Sequence, residues 1–210
     1  TDGDPLLYYP SAIIGTNEIS PLAMAAAQAA VANKGTYCSP VAIDRVYSRV
    51  EKKELTVPKS ICSQAVTPEV AAGMTYAMQR VISGGTGGAS STGDGTSLAG
   101  KTGTTDSGVH TWMTGFSTAM ATATWVGNVV GNKSLRQTKL NGKLASTVRH
   151  DIWRTIMQAA NKTYKGTSFA APPASMLAAT GINVPDTYGQ TPEAAVELIK
   201  LEGLNAKIVV

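Results

Sequence analysis

Charge is scarce in this sequence. Lys, Arg, Asp and Glu make up only 15% of its 210 residues, where a globular domain usually carries about 25%. The formal net charge is +4, but no block of basic residues forms an arm, so no nucleic-acid partner is expected. Histidine occurs twice, as His110 and His150, and cysteine twice, as Cys38 and Cys62. There is no C-x-x-C and no H-E-x-x-H, so neither a metal nor another cofactor is expected. Two histidines leave few ways to build a Ser-His-Asp site, and Gly115-Phe-Ser-Thr-Ala119 misses the nucleophile elbow by ending in Ala. His110 reads as a strand residue near a cleft rim. No apolar run approaches the ~18 residues of a membrane span. No signal peptide opens the chain, and its start reads like the middle of a domain in a longer protein.

Glycine is plentiful, with 21 residues, and the apolar fraction is 43%. A real core is affordable to such a chain, and its polar, uncharged loops suit an extracytoplasmic protein. Ser20-Pro21 and Thr67-Pro-Glu each read as a helix start: cap, then proline at the first helical position. The first helix, Ala-rich and ending near Asn33, is expected to be buried. The second should turn Val70, Met74, Ala77, Met78 and Val81 inward, its methionines filling core. Gly84 to Gly95 reads as a flexible loop. His110 to Ser117 and Ala119 to Val126 read as paired strands. Asp151 to Asn161 reads as a third helix, with Ile152, Ile156 and Met157 inward. Residues 174–182 are the expected linker. Thr191-Pro-Glu starts a last helix, and Leu204 to Val210 reads as a closing strand.

Between Tyr37 and Cys62 two strands are expected, Val41–Tyr47 and Glu54–Val57, in a hairpin centred near residue 50. Antiparallel pairing about that centre sets Cys38 opposite Cys62. A disulfide between them follows, and with it an oxidising compartment. Two free buried thiols are the alternative, and a bulge would spoil the register.

One stretch, GTSLAGKTGTT, fits two templates. Gly95 to Thr102 spells the phosphate loop G-x-x-x-x-G-K-T, and Lys101 to Thr104 spells KTGT. A phosphate loop needs a buried strand before it and a helix after it. Neither is available: Gly, Ser and Thr precede it, and Gly103 and Gly108 break any helix. KTGT instead needs an edge strand on a cleft, continued by an antiparallel partner, and the two following strands supply that. On a strand Thr102 and Thr104 share a face, so both hydroxyls could bond one substrate carboxylate. Gly103 lets a substrate backbone lie close. Lys101 brings positive charge for an anionic substrate and a nucleophile.

The wider pattern resembles the class A penicillin-binding proteins. Gly15-x-x-Glu18-Ile-Ser-Pro-Leu, Ala32-Asn-x-Gly35, Ala99-Gly-Lys-Thr-Gly-Thr-Thr105, Trp112-x-x-Gly115-Phe and Trp125-Val-Gly-Asn128 match that family in order. Ile152-Trp153 and Phe169-x-x-Pro172 resemble the end of its transpeptidase domain. The resemblance implies a mixed α/β fold of the α+β type, an antiparallel sheet packed with helices, over residues 1–173. Residues 183–210 resemble the first half of a PASTA repeat. It also implies a D,D-transpeptidase that cross-links peptidoglycan stem peptides through a serine acyl-enzyme and is acylated by β-lactams. Lys101 and Thr104 would be its catalytic residues here, Thr104 through its backbone N–H as one of two oxyanion-hole donors. Thr102, Gly103, Thr104 and Thr105 would bind substrate.

The family also needs S-x-x-K and S-x-N, and no serine here is followed by Lys three positions on or by Asn two positions on. The nucleophile is therefore expected upstream or on a second polypeptide, and this chain alone should be inactive. The expected location is the extracytoplasmic face of a bacterial cell membrane, with the anchor outside this chain. A non-catalytic, PASTA-type wall-binding fragment is the alternative. Nucleotide binding is the third reading, which predicts ATP-dependent stabilisation lost on Lys101→Ala.

Overall fold

The computed structural model describes residues 6–177 and 184–208. The chain divides into two compact units, Thr1–Pro173 and Ala174–Val210.

The first unit is built on a three-stranded antiparallel sheet. Its strands are β5 (Ala99–Thr104), β6 (His110–Phe116) and β7 (Ala121–Gly127), in that spatial order. Three helices pack on it: α1 (Pro21–Ala32), α2 (Pro68–Ser83) and α3 (Ala145–Thr163). Helix starts follow the local chemistry. Ser20 accepts from the amide of Ala23 and Thr67 from that of Val70, each with proline next in line. One contiguous core joins Ile82 of α2, Leu98, Met113 of β6, and Trp153 and Met157 of α3. Burying each such side chain stabilises the fold by about 1.5–3 kcal/mol.

The helix faces differ from the sequence expectation. In α2 the buried residues are Ala71, Thr75 and Ile82, while Val70 and Met74 are exposed. The helix is thus rolled by about one residue, roughly 100°, and Met74 fills no core. The sheet decides this roll. Gly100 has no side chain, and a Cβ there would lie 3.2 Å from Cδ1 of Ile82, so the isoleucine occupies the gap. Helix α3 starts six residues earlier than expected, at Ala145 rather than Asp151. It buries Trp153, Met157, His150 and Asn161 and leaves Ile152 and Ile156 exposed. Gly115 is the matching gap, where a Cβ would lie 3.1 Å from the Trp153 ring. Helix α1 is not buried as expected: only Ala30 is, and Leu22 is 66% exposed.

The 37–62 segment also departs from the expected hairpin. It forms two small ladders, β1 (Thr36–Cys38) with β4 (Cys62–Gln64) and β2 (Val46–Ser48) with β3 (Lys53–Leu55). Pro40 and Pro58 lie between them, and a proline cannot donate to a ladder. The inner register is displaced by one residue from the outer one. In the outer ladder Cys38 lies opposite Cys62, and the two are disulfide-bonded. A further hairpin, β8 (Lys139–Leu140) with β9 (Lys143–Leu144), turns at Asn141-Gly142, both at positive φ. That Asn-Gly signal was in the sequence but unassigned.

The second unit holds α4 (Ala174–Leu177) and α5 (Pro192–Leu201), the latter capped by Thr191 on the amide of Ala194. Of the expected linker, residues 174–177 are helical and 178–182 lie outside the described residues. The expected closing strand is absent over 204–208, and 209–210 lie outside the described residues.

Candidate active site

The KTGT run lies on β5, at one edge of the three-stranded sheet. The amide of Thr105 donates to the carbonyl of His110, its register partner. Hydrogen-bonded and non-bonded pairs alternate along an antiparallel ladder. Lys101 and Gly103 therefore bond inward to β6, and the N–H and C=O of Thr102 and Thr104 point to the free edge. No helix follows this segment; a turn and β6 do. Gly95 to Thr102 is thus no phosphate loop, since Lys101 and Thr102 are extended strand and the next element is a strand where that loop needs a helix.

The side chains divide by face. Lys101 is exposed, and its Nζ donates to the carbonyl of Thr102 at 2.7 Å. Gly103 lies against Trp112 of β6, where a Cβ would come within 3.3 Å of the Trp112 Cβ. Thr102 and Thr104 share the opposite face, but their hydroxyls have different surroundings. Thr102 is buried, with Oγ1 2.6 Å from Oγ1 of Thr86. Thr104 is exposed, and its Oγ1 accepts from Nη1 of Arg149 at 3.0 Å. Thr105 organises the turn: its Oγ1 accepts from the amides of Val109 and His110. His110 opens β6 and stacks on Trp125 at 5.7 Å between centroids.

The loop from Gly84 to Gly95 is not free. Four residues of α3 hold it at regular intervals. His150 Nδ1 lies 2.7 Å from Ser90 Oγ, and Arg154 donates to the Ala89 carbonyl at 2.7 Å. Gln158 donates to the Thr92 carbonyl at 2.8 Å and Asn161 to Asp94 Oδ2 at 2.9 Å. Helical spacing puts these four on one stripe. Burial raises the pKa of Asp94, but hydrogen bonds from Asn161, Thr92 and Thr96 outweigh it and hold the carboxyl well below its usual range. The expectation of a flexible loop fails because α3 satisfies its polar groups. This anchoring in turn places Thr86 against Thr102.

Arg149 and Thr86 were missed in the sequence. Arg149 lies before the expected start of its helix. The available signal was the stripe Arg149/His150, Trp153, Met157, whose i, i+3/i+4 spacing puts Arg149 on the sheet-facing side. Burial first, then the charge of Arg136, lowers the pKa of Arg149. Burial first, then the charge of Arg149, lowers that of His150. Among the described residues no group of three or more His, Cys, Asp or Glu is arranged to hold a metal.

The penicillin binding protein transpeptidase domain matches residues 10–158. Penicillin-binding protein 1A of Aquifex aeolicus is 33% identical over 175 residues, covering 83% of this chain and 23% of that protein. The Neisseria gonorrhoeae protein 1A is 32% identical over 167 residues, 77% of this chain and 20% of that protein. The chain thus spans less than a quarter of the length of these curated relatives. The structure of PonA1 from Mycobacterium tuberculosis in complex with penicillin V matches with a TM-score of 0.66 at 27% identity, over 77% of this chain and 43% of that one. Penicillin-binding protein 1A of Haemophilus influenzae, at 20% identity and a TM-score of 0.65 over 80% of this chain and 30% of that one, shares the fold. The matched range contains α1, the KTGT edge strand with the other two strands of its sheet, and most of α3; the chain belongs to the transpeptidase domain family of penicillin-binding proteins, among the relatives of protein 1A.

Proposed function

We propose that this chain supplies the KTGT wall of a peptidoglycan D,D-transpeptidase. The observation that carries the reading is the free edge of β5. It offers the outward amide of Thr104, the Thr104 hydroxyl and the exposed Lys101 within four residues. In this reading a serine supplied by another segment attacks the peptide carbonyl before a terminal D-Ala. The developing oxyanion is met by the Thr104 N–H, one of two donors. Thr104 takes the carboxylate of the acyl donor, with Thr102 and Thr105 fixing the strand and turn on either side. Gly103 lets the donor backbone lie against the edge. Lys101 reaches the hydrogen-bonded cluster around the nucleophile. β-Lactams acylate the same serine, a reading supported by a structural neighbour bound to penicillin V.

The serine motifs S-x-x-K and S-x-N are supplied upstream in a longer protein or by a second polypeptide. Residues 183–210 belong to a partial PASTA module that contacts the wall. The disulfide fits a location on the extracytoplasmic face of the membrane.

The test is labelling with a fluorescent penicillin, read on a denaturing gel. The isolated chain should stay dark. The complete protein, or a co-purifying serine-bearing polypeptide, should carry the label, and Thr104→Pro should abolish it by removing the amide. A label bound covalently to this chain on its own would sink the assignment.

A further inference from the structure

The KTGT strand touches a cation that the motif does not include. Arg149 reaches it from α3. Its Nη1 donates to Thr104 Oγ1 at 3.0 Å and, more weakly, to the Gly103 carbonyl at 3.4 Å. Its Nε donates to His150 Nε2 at 3.2 Å.

Donor chemistry gives this chain of contacts one direction. A guanidinium has donors only. His150 Nε2 must therefore carry the lone pair, and its proton sits on Nδ1. That proton is donated to Ser90 Oγ at 2.7 Å, inside the protein, where Ser90 is fully buried. At the other end Thr104 Oγ1 accepts from Arg149, so the hydroxyl proton of Thr104 is free to be given outward. Ser90 and His150 thus hold the arginine, and the arginine orients the exposed threonine.

The charge of Arg149 is unanswered. Among the described residues it forms no salt bridge, and no protein acceptor meets its Nη2. The charge of Arg136, a like one, together with burial disfavours the protonated form. Half-buried arginines are normally paired. Here an unpaired cation lies beside an exposed hydroxyl donor. A bound carboxylate would relieve that repulsion and accept from both Arg149 and Thr104.

We propose that Arg149 is a specificity-determining residue of this site, which orients the Thr104 hydroxyl and selects acyl donors bearing a free carboxylate over neutral ones. The inference rests on the transpeptidase reading above. A Lys at this position would keep the charge but lose the fork that reaches Gly103, Thr104 and His150 together.

The experiment uses the complete protein, serine-bearing segment included. Second-order acylation rates are measured with a penicillin carrying its free carboxylate and with the neutral methyl ester of the same compound. Arg149→Gln should slow acylation by the free acid about tenfold or more, the scale of a lost charge-assisted hydrogen bond. It should leave the ester within about twofold, so the preference for the acid collapses. The loss should fall on the pre-acylation binding constant, and Arg149→Lys should be intermediate. Equal slowing with both compounds would mean that Arg149 only pins α3 to β5, and would overturn the proposal. So would no slowing with either. If the unsubstituted protein is not acylated at all, the transpeptidase reading fails first and this inference with it. A dark variant beside a labelled parent, with both compounds, counts against Arg149 alone.

Discussion

Two segments, one more than twice as long as the other, behave in opposite ways. The 36–64 segment is rich in β-branched and aromatic residues, yet it forms two ladders of three residue pairs each. Val46, Tyr47, Val50 and Leu55 in it are all exposed. The 84–95 loop has nothing apolar larger than alanine, yet Ser90 and Thr92 are buried in it and α3 bonds it at four points. Strand propensity measures how well a side chain fits a half-buried pleat. Without a second layer to cover it, such a sequence gains little. A polar loop gains more when a helix lies alongside with donors at every turn.

The largest effect should come from removing what both regions depend on unequally. Trp153 is fully buried and joins α3 to the sheet, with its Nε1 donating to the Thr122 carbonyl at 3.2 Å. Trp153→Ala should destabilise the first unit by about 3–5 kcal/mol in chemical denaturation. Hydrogen exchange should show the 84–95 loop released with α3, while the β1–β4 amides keep their protection. Loss of both together would show that the two regions are not independent.

Asp94 should give the next effect. Asp94→Ala removes acceptors for Thr92, Thr96 and Asn161. Because the residue is exposed on its outer side, the cost should be only about 1–2 kcal/mol. The acid dependence has a definite sign. The folded carboxyl lies well below the usual 3.8. Its contribution is therefore present above that value and is lost as pH falls through the folded one. The variant and its parent should converge in stability in strong acid, as long as both remain folded there.

This contrast also explains which features were legible in the sequence. The β6 and β7 strands and the starts of α1, α2 and α5 were legible because a short run of residues determines each. The KTGT strand was legible through its motif, and the Cys38–Cys62 pairing through a turn centre that was nearly right. The roll of α2 and α3 was not legible, because Gly100 and Gly115, far away in sequence, create the gaps that Ile82 and Trp153 fill. Thr102 and Thr104 looked equivalent by strand parity. Their difference comes from Thr86 and Arg149, brought up by the loop and by α3. Arg149 itself was hidden because α3 has no capping side chain to mark its true start.

The disulfide sharpens the comparison on the hairpin side. For a loop of this length the chain-entropy estimate is about 3 kcal/mol. That figure assumes that reduction leaves the native hairpin in place. With exposed strands the reduced hairpin can open by itself, so Cys38→Ser with Cys62→Ser should cost the first unit under about 1 kcal/mol. Exchange of the β1–β4 amides should accelerate strongly, and the 84–95 loop should not change. A global loss near the full entropic value would show that the hairpin unfolds only with the sheet.

The smallest effect should lie at the hairpin tip. Arg45 and Glu54 are 3.3 Å apart, with side chains 73% and 59% exposed. Arg45 precedes the inner ladder, and Glu54 lies within it, paired with Tyr47. Water screens such a pair, and ordering two long side chains offsets most of its Coulomb gain. A double-mutant cycle through Arg45→Ala and Glu54→Ala should return a coupling of about 0.5 kcal/mol or less. High salt should erase it, because Debye screening at ~1 M acts within about 3 Å. The disulfide variant offers a stricter form of the same measurement. If the tip is held only by its closed base, the coupling should vanish when Cys38 and Cys62 are replaced. A coupling that survives would mean that the β2–β3 turn is ordered by its own residues, with the β1–β4 ladder and its disulfide contributing nothing to it.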